Sequence, residues 1–214
     1  MMMRSFLLPG AIPDMIPAAA ADWLVIDIIR FSEMIAVQAE SAESLAKEPI
    51  GLAALLPPIA SPRMEESLVA ALRLRATMVV LSGTEGCADI QRLDMLLRLE
   101  EARLGLADGS TGIAALLNAG GVLQARNMHQ WSRRLRAVGL DLEETAFSAE
   151  SETVSFARAQ IALGAKAAGI VAIGTGRPAR PEDFQAQCIA ARENGFSGMF
   201  VRDLEQTEIA NVIF

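Results

Sequence analysis

Leu24-Val25-Ile26-Asp27-Ile28-Ile29-Arg30-Phe31-Ser32 is an apolar, β-branched run with one carboxylate inside it and an arginine at its exit. Such a run reads as a strand buried on both faces, the kind found in parallel sheets. A lone Asp in that setting is costly unless it is paired, so Asp27 raises the question of function. The strand leaves through Ile28-Ile29-Arg30, which is a poor place to hold a metal ion.

Outward from this run, short apolar stretches alternate with longer amphipathic ones. The pattern predicts strands at Ser5–Leu8, Leu24–Ile28, Gly51–Leu55, Met78–Leu81, Gly112–Leu117, Leu135–Gly139, Gly169–Ile173 and Gly198–Val201. Helices are expected at Met64–Arg75, Ala88–Leu104, Glu152–Ala168 and from Pro181 to a stop at Asn194-Gly195. In the Ala88–Leu104 helix, Ile90, Leu93, Leu97 and Leu104 share one face. Repeated β-then-α units predict an α/β fold with a parallel sheet closed as a (β/α)₈ barrel, with an open doubly wound sheet as the rival. No Gly/Ser-rich linker divides residues 1–214, so one domain is expected. Ala42–Pro49 and Ser61–Glu66 read as the loosest connections.

Composition narrows the function classes. The 214 residues are 52% hydrophobic, 21% charged and 5% aromatic, an ordinary globular balance weighted towards helix. The net charge of −7 argues against a nucleic-acid surface, which needs a basic footprint. No apolar run reaches the ~18 residues of a membrane span, and the apolar part of the first ten residues is too short for a signal peptide. Cys87 and Cys188 lie far apart and read as reduced thiols. These features together predict a cytoplasmic protein.

In a barrel, chemistry sits where strands end and βα loops begin. The expected exits are Pro9-Gly10, Ile29-Arg30, Leu56-Pro57, Ser82-Gly83-Thr84-Glu85, Asn118-Ala119, Leu140-Asp141-Leu142, Gly174-Thr175-Gly176-Arg177 and Arg202-Asp203. Several segments in this order resemble the HpcH/HpaI aldolase and citrate lyase β-subunit family. Arg4-Ser5-Phe6-Leu7-Leu8-Pro9-Gly10 with Pro13-Asp14-Met15-Ile16 is similar to the family's opening strand and turn. Ile26-Asp27 is similar to its second-strand motif, and Gly121-Val122-Leu123 to the helix start after strand five. Ala190-Ala191-Arg192-Glu193-Asn194-Gly195-Phe196-Ser197-Gly198 is similar to its last helix-to-strand turn.

The resemblance implies a TIM barrel, usually oligomeric, that cleaves or forms carbon–carbon bonds in substrates such as citryl-, malyl- or citramalyl-CoA. It also implies a Mg²⁺ ion held by a Glu after strand five and an Asp after strand six, with an Arg after strand three on the acid. A divalent cation and an arginine are what a developing enolate needs. This chain departs from that pattern. The strand-five Glu falls on Leu117, with Asn118 next, and the strand-six Asp falls on Leu142, with Asp141 one residue away. There is no arginine between Lys47 and Pro62, and the acidic pair after Asp27 has become Ile29-Arg30. Leucine cannot coordinate Mg²⁺.

The resulting expectation is a homologue that has kept the barrel and lost metal-dependent lyase chemistry, with no cofactor. It would bind a small carboxylate or CoA-type ligand, or serve as a partner subunit. The alternatives are an active Mg²⁺-dependent lyase and a scaffold with no ligand. Asp27 and Asp141 are the candidate catalytic groups, and Arg30, Asn118 and Arg177 the candidate ligand-binding ones. Asp27 also reads as a structural Asp bonded to a loop, and Glu85 and Asp141 as solvated loop charges. His129, the only histidine, reads as a helix-surface residue. A homo-oligomer, or a hetero-oligomer with an active paralogue, is expected from the family's habit.

Overall fold

The computed structural model describes residues 3–8, 21–28, 30, 51–142, 148, 151–176 and 180–214. Eight parallel strands close in sequence order into a barrel, β1 pairing with β8. They are β1 Ser5–Leu7, β2 Trp23–Asp27, β3 Gly51–Leu56, β4 Met78–Thr84, β5 Gly112–Leu117, β6 Leu135–Leu140, β7 Val171–Gly174 and β8 Gly198–Val201. The helices are α1 Met64–Arg73, α2 Cys87–Arg103, α3 Ala119–Gln124, α4 Glu152–Ala168, α5 Pro181–Glu193 and α6 Leu204–Ile213, with a 3₁₀ segment at Ala125–Gln130. The chain is a (β/α)₈ barrel, and the open doubly wound alternative is excluded by the closure. Among the described residues, no helix is long and apolar enough to cross a membrane.

Alternation along the strands sorts the apolar residues into two layers. Phe6, Val25, Ala53, Val80, Ala114 and Ala137 point into the barrel. Leu24, Ile26, Val79, Leu81, Ala115 and Leu117 point outward into the shell shared with the helices. Inside, Phe6 stacks on Trp23 with ring centroids 5.9 Å apart and meets Phe200 at 5.4 Å. Small residues on β3, β5 and β6 leave room for these rings, so the interior is filled by aromatics from three adjacent strands.

The helix ends follow local chemistry. Ser151 caps α4 by accepting the Val154 N–H, and α4 stops at Gly169, whose φ of 68° is left-handed. Gly169 was expected to open a strand. It instead closes the helix, and β7 begins at Val171. The Ser61–Glu66 segment, expected to be loose, contains the first turn of α1, with the Met64 N–H on the Ser61 carbonyl at 3.1 Å. Ala42–Pro49 lies outside the described residues. On α2 the buried face is Ile90, Leu93, Leu97 and Glu101. Leu104, expected to complete it, is 38% exposed at the helix end. A glutamate one turn after Leu97 holds that place because a buried arginine meets it.

That arginine is Arg134, just before β6. Its guanidinium forms two parallel bonds to Glu101, at 2.9 and 2.8 Å, and a third to Asp94 at 2.8 Å. Glu101 also accepts the backbone N–H groups of Gly109 and Thr111. No buried side-chain polar atom among the described residues is left without a partner. The second ion pair, Arg4 to Asp22 at 2.9 Å, ties the start of β1 to the start of β2. Arg4 therefore lies on the face of the barrel opposite the strand exits, as its position before β1 predicts.

Two close approaches give tests of the packing. A Cβ on Gly164 of α4 would lie 2.4 Å from the Ala125 carbonyl oxygen. Gly164→Ala is therefore expected to destabilise the protein by about 1–3 kcal/mol, despite the better helix propensity of alanine. Urea unfolding followed by circular dichroism measures this, and a stabilised variant would contradict the close packing. Cys188 is fully buried on α5, and burial pushes its thiol up to about 12. DTNB is expected to leave it unreacted in the native protein and to label it once urea unfolds the chain.

Candidate functional site at the barrel mouth

A cavity of about 580 Å³ opens where the strands end. Each strand contributes at its exit the side chain that alternation turns inward. These are Leu8 from β1, Asp27 from β2, Leu55 from β3, Ser82 from β4, Leu116 from β5 and Asp141 after β6. Thr175 and Gly176 follow β7, and Phe200 and Arg202 come from the end of β8. Leu140 and Leu142 add further apolar surface, and Arg30 reaches the mouth from beyond β2. The site is a collar of leucines broken by two carboxylates and two guanidinium groups.

Asp27 closes β2, where it is half-buried, so the desolvation it faces is less than a mid-strand position would impose. Its Oδ1 accepts the Arg30 backbone N–H at 3.1 Å, the bond of a helix cap, and Ile28 and Arg30 are helical. Asp27 thus shapes the exit of its strand while facing the cavity. Asp141 is 6% exposed, and its Oδ2 accepts the Gly83 N–H at 2.9 Å. Gly83 has a φ of 57°, a conformation that suits glycine, and this turn brings its N–H to the carboxylate. Three strands lie between β2 and β6 in either direction, so the two carboxylates face each other across the mouth.

The structure brings Asp27, Asp141 and Arg30 together around one cavity. It places Asn118 elsewhere. Asn118 is the N-cap of α3: its Oδ1 accepts the Gly121 N–H at 3.1 Å and its Nδ2 donates to the Gly83 carbonyl at 3.4 Å. Arg177 lies outside the described residues. Glu85 is exposed, its backbone N–H donates to Asp89 at the start of α2, and it is not among the residues that line the cavity with Asp141. His129 is exposed on the 3₁₀ segment, away from the strand exits.

Leu117 and Leu142 need separate treatment. Leu117 is fully buried in the outer shell and points away from the mouth. The leucine that faces the mouth from β5 is Leu116, one residue earlier. On β6 the inward position is Asp141, while Leu142 lies beside it on the rim. A strict count of alternation from Ala114 and Ala137 identifies both inward positions. Similarity in the flanking segments does not identify them. Arg202 and Ser82 were visible at strand exits but had no assigned role.

The donor set of a protein-held Mg²⁺ is not assembled by these residues. Among the described residues, no three His, Cys, Asp or Glu side chains converge. The inward residue of β5 is a leucine, the side-chain oxygen of Asn118 at that exit serves a helix cap, and Asp141 already accepts a backbone N–H. Mg²⁺ takes hard oxygen ligands in near-octahedral array, commonly one or two carboxylates with waters, and β5 offers no carboxylate at its inward position.

No family model matches the chain. It is 28% identical over 152 residues to citrate lyase subunit beta of Haemophilus influenzae, an alignment covering 67% of this chain and 52% of that protein. The chain thus spans about half the length of the curated relative it matches. Among solved structures, the citrate lyase beta subunit of M. tuberculosis, in complex with oxaloacetate and magnesium, superposes with a TM-score of 0.73. It is 18% identical and covers 99% of this chain and 96% of its own. The Haloferax volcanii malate synthase magnesium/glyoxylate complex superposes with a TM-score of 0.81 at 16% identity, covering 99% and 75%. The two superpositions agree with the closed barrel, and over 152 residues the chain is similar in sequence to citrate lyase subunit beta.

Proposed function

We propose that the barrel mouth binds a small carboxylic acid, or the CoA thioester of one, and does not carry out magnesium-dependent carbon–carbon cleavage. The observation that carries this reading is the leucine at the inward position of β5, in a mouth lined also by the guanidinium groups of Arg30 and Arg202. A carboxylate ligand gains from an arginine at the edge of an apolar cavity, where water screens the pair less than in bulk. Enolate chemistry asks for more, namely a cation fixed against the carbonyl. No bound metal enters this reading. Assembly with further copies, or with an active paralogue, belongs to the same proposal and is read by light scattering.

The second reading is an active Mg²⁺-dependent lyase. Asp141 favours it, because a carboxylate does face the mouth at the end of β6, and so does the 28% identity to citrate lyase subunit beta. Thermal melting with Mg²⁺, citrate, oxaloacetate, malyl-CoA and acetyl-CoA separates the two. A ligand at 100 times its Kd adds about 2.7 kcal/mol of stability. The expected result is a shift with an acid or thioester that does not depend on Mg²⁺, and no cleavage of malyl-CoA. A Mg²⁺-dependent shift with cleavage establishes the lyase instead. No shift with any of them leaves a scaffold.

A further inference from the structure

Among the described residues, Arg202 is a cation of the mouth to which the fold supplies no ion-pair partner. Arg202 extends from the end of β8 and lines the cavity, and among the described residues its guanidinium makes no ion pair. The acid next to it in sequence is committed elsewhere: Asp203 caps α6, its Oδ1 accepting the Gln206 N–H at 2.8 Å. Gln206 in return accepts the Arg202 backbone N–H at 2.9 Å, which fixes the strand exit without touching the guanidinium. The surface beneath is apolar, because Phe200 lines the cavity two residues earlier and Leu8 lines it from the neighbouring strand.

From this arrangement we propose that Arg202 anchors the ligand's carboxylate, and that the ligand is a monocarboxylic acid with an apolar body. The proposal rests on the acid-binding reading of the mouth and adds to it the anchor and the ligand class. A planar guanidinium accepts a carboxylate through two parallel N–H···O bonds, which sets the direction in which the rest of the ligand leaves. From Arg202 that direction crosses Phe200 and the leucines of β3, β5 and β6, a surface that rewards buried hydrocarbon. A second carboxylate on the ligand meets Asp141 on one side, or Asp27 together with Arg30 on the other. Repulsion in the first case, and an anion beside the cation in the second, leave it little to gain.

Isothermal titration of wild type, Arg202→Gln and Arg202→Lys with 4-methyl-2-oxovalerate and with citrate tests both parts. Arg202 is exposed, so neither variant is expected to change the unliganded melting temperature, which is measured alongside. Wild type is expected to bind 4-methyl-2-oxovalerate more tightly than citrate. Arg202→Gln is expected to weaken that binding by about tenfold or more, and Arg202→Lys by less, since it keeps the charge and loses the fork. Unchanged affinity in Arg202→Gln overturns the anchor while leaving the acid-binding mouth intact. Tighter binding of citrate overturns the ligand class alone. If wild type binds neither acid, the acid-binding reading fails and this inference fails with it.

Discussion

Arg134→Ala is expected to lower the free energy of unfolding by about 3–5 kcal/mol, the cost of leaving a buried charge without its partner. Glu101 is fully buried and relies on Arg134 for two of its bonds. Asp94 and the Thr111 carbonyl lose a bond as well. A small domain has only about 5–15 kcal/mol to lose, so the variant is expected to be markedly less stable, with unfolding at far lower urea. Arg134→Ala combined with Glu101→Ala is expected to cost less than the two single changes added together, since removing both charges removes the unpaired one. Strict additivity of the two would mean that the pair is not coupled.

The same network sets an acid limit. Burial pushes Glu101 up, but the bonds from Arg134 and from the Gly109 and Thr111 N–H groups outweigh it and hold its carboxyl below the usual value of 4.5. Asp94 is held down in the same way: burial raises it, and Ser132, Arg98 and Arg134 outweigh that. Carboxylates with a lowered native pKa stabilise the fold above their unfolded pKa, and that contribution is lost as pH falls through the native one. The urea midpoint of wild type is therefore expected to hold from neutral pH down to about 5 and to fall below about 4.5. Arg134→Ala is expected to show a shallower acid slope, because the guanidinium no longer favours the ionised carboxylates.

Leu117→Glu is expected to cost several kcal/mol, enough to unfold a large share of the protein, while Leu116→Glu costs far less. The two residues are neighbours on one strand and differ in the face they present. Leu117 is fully buried between barrel and helices, against the backbone of Gly121. Leu116 is half-buried and faces the open mouth. A glutamate at 116 therefore keeps its hydration and at 117 loses it. Urea unfolding of both variants gives the difference directly. Equal losses would mean that the strand is turned the other way, and would return the strand-five ligand position of the family to 117.

The barrel was legible in the sequence because its signal is repeated and local. Each buried parallel strand is a short apolar run, three of the described helices carry their own side-chain caps, and the alternation recurs along the chain. Pro181, Asn194 and Gly195 mark the limits of α5, and Glu152–Ala168 is bounded as its pattern predicts. The mistakes are also local in origin. Gly169 reads as the start of an apolar run and is a helix cap, since φ near 68° leaves no trace in composition. Leu104 continues a periodic face that Glu101 in fact completes, because the deciding partner, Arg134, is 33 residues away.

The site divides the same way. The sequence alone determined which residues stand at the strand exits, and so named Asp27, Asp141 and Arg30 before any coordinates. It also determined that the exit of β5 carries leucine where the resembling family carries glutamate. Only the tertiary structure decided which leucine, 116 or 117, faces the cavity, because a one-residue change of register sends every side chain of a strand to the other face. Only the tertiary structure committed Asn118 and Asp203 to helix caps and left Arg202 facing an apolar floor. A side chain's chemistry is written in its own residue, but its partner is set by packing, and the partner decides whether a charge serves the fold or a ligand.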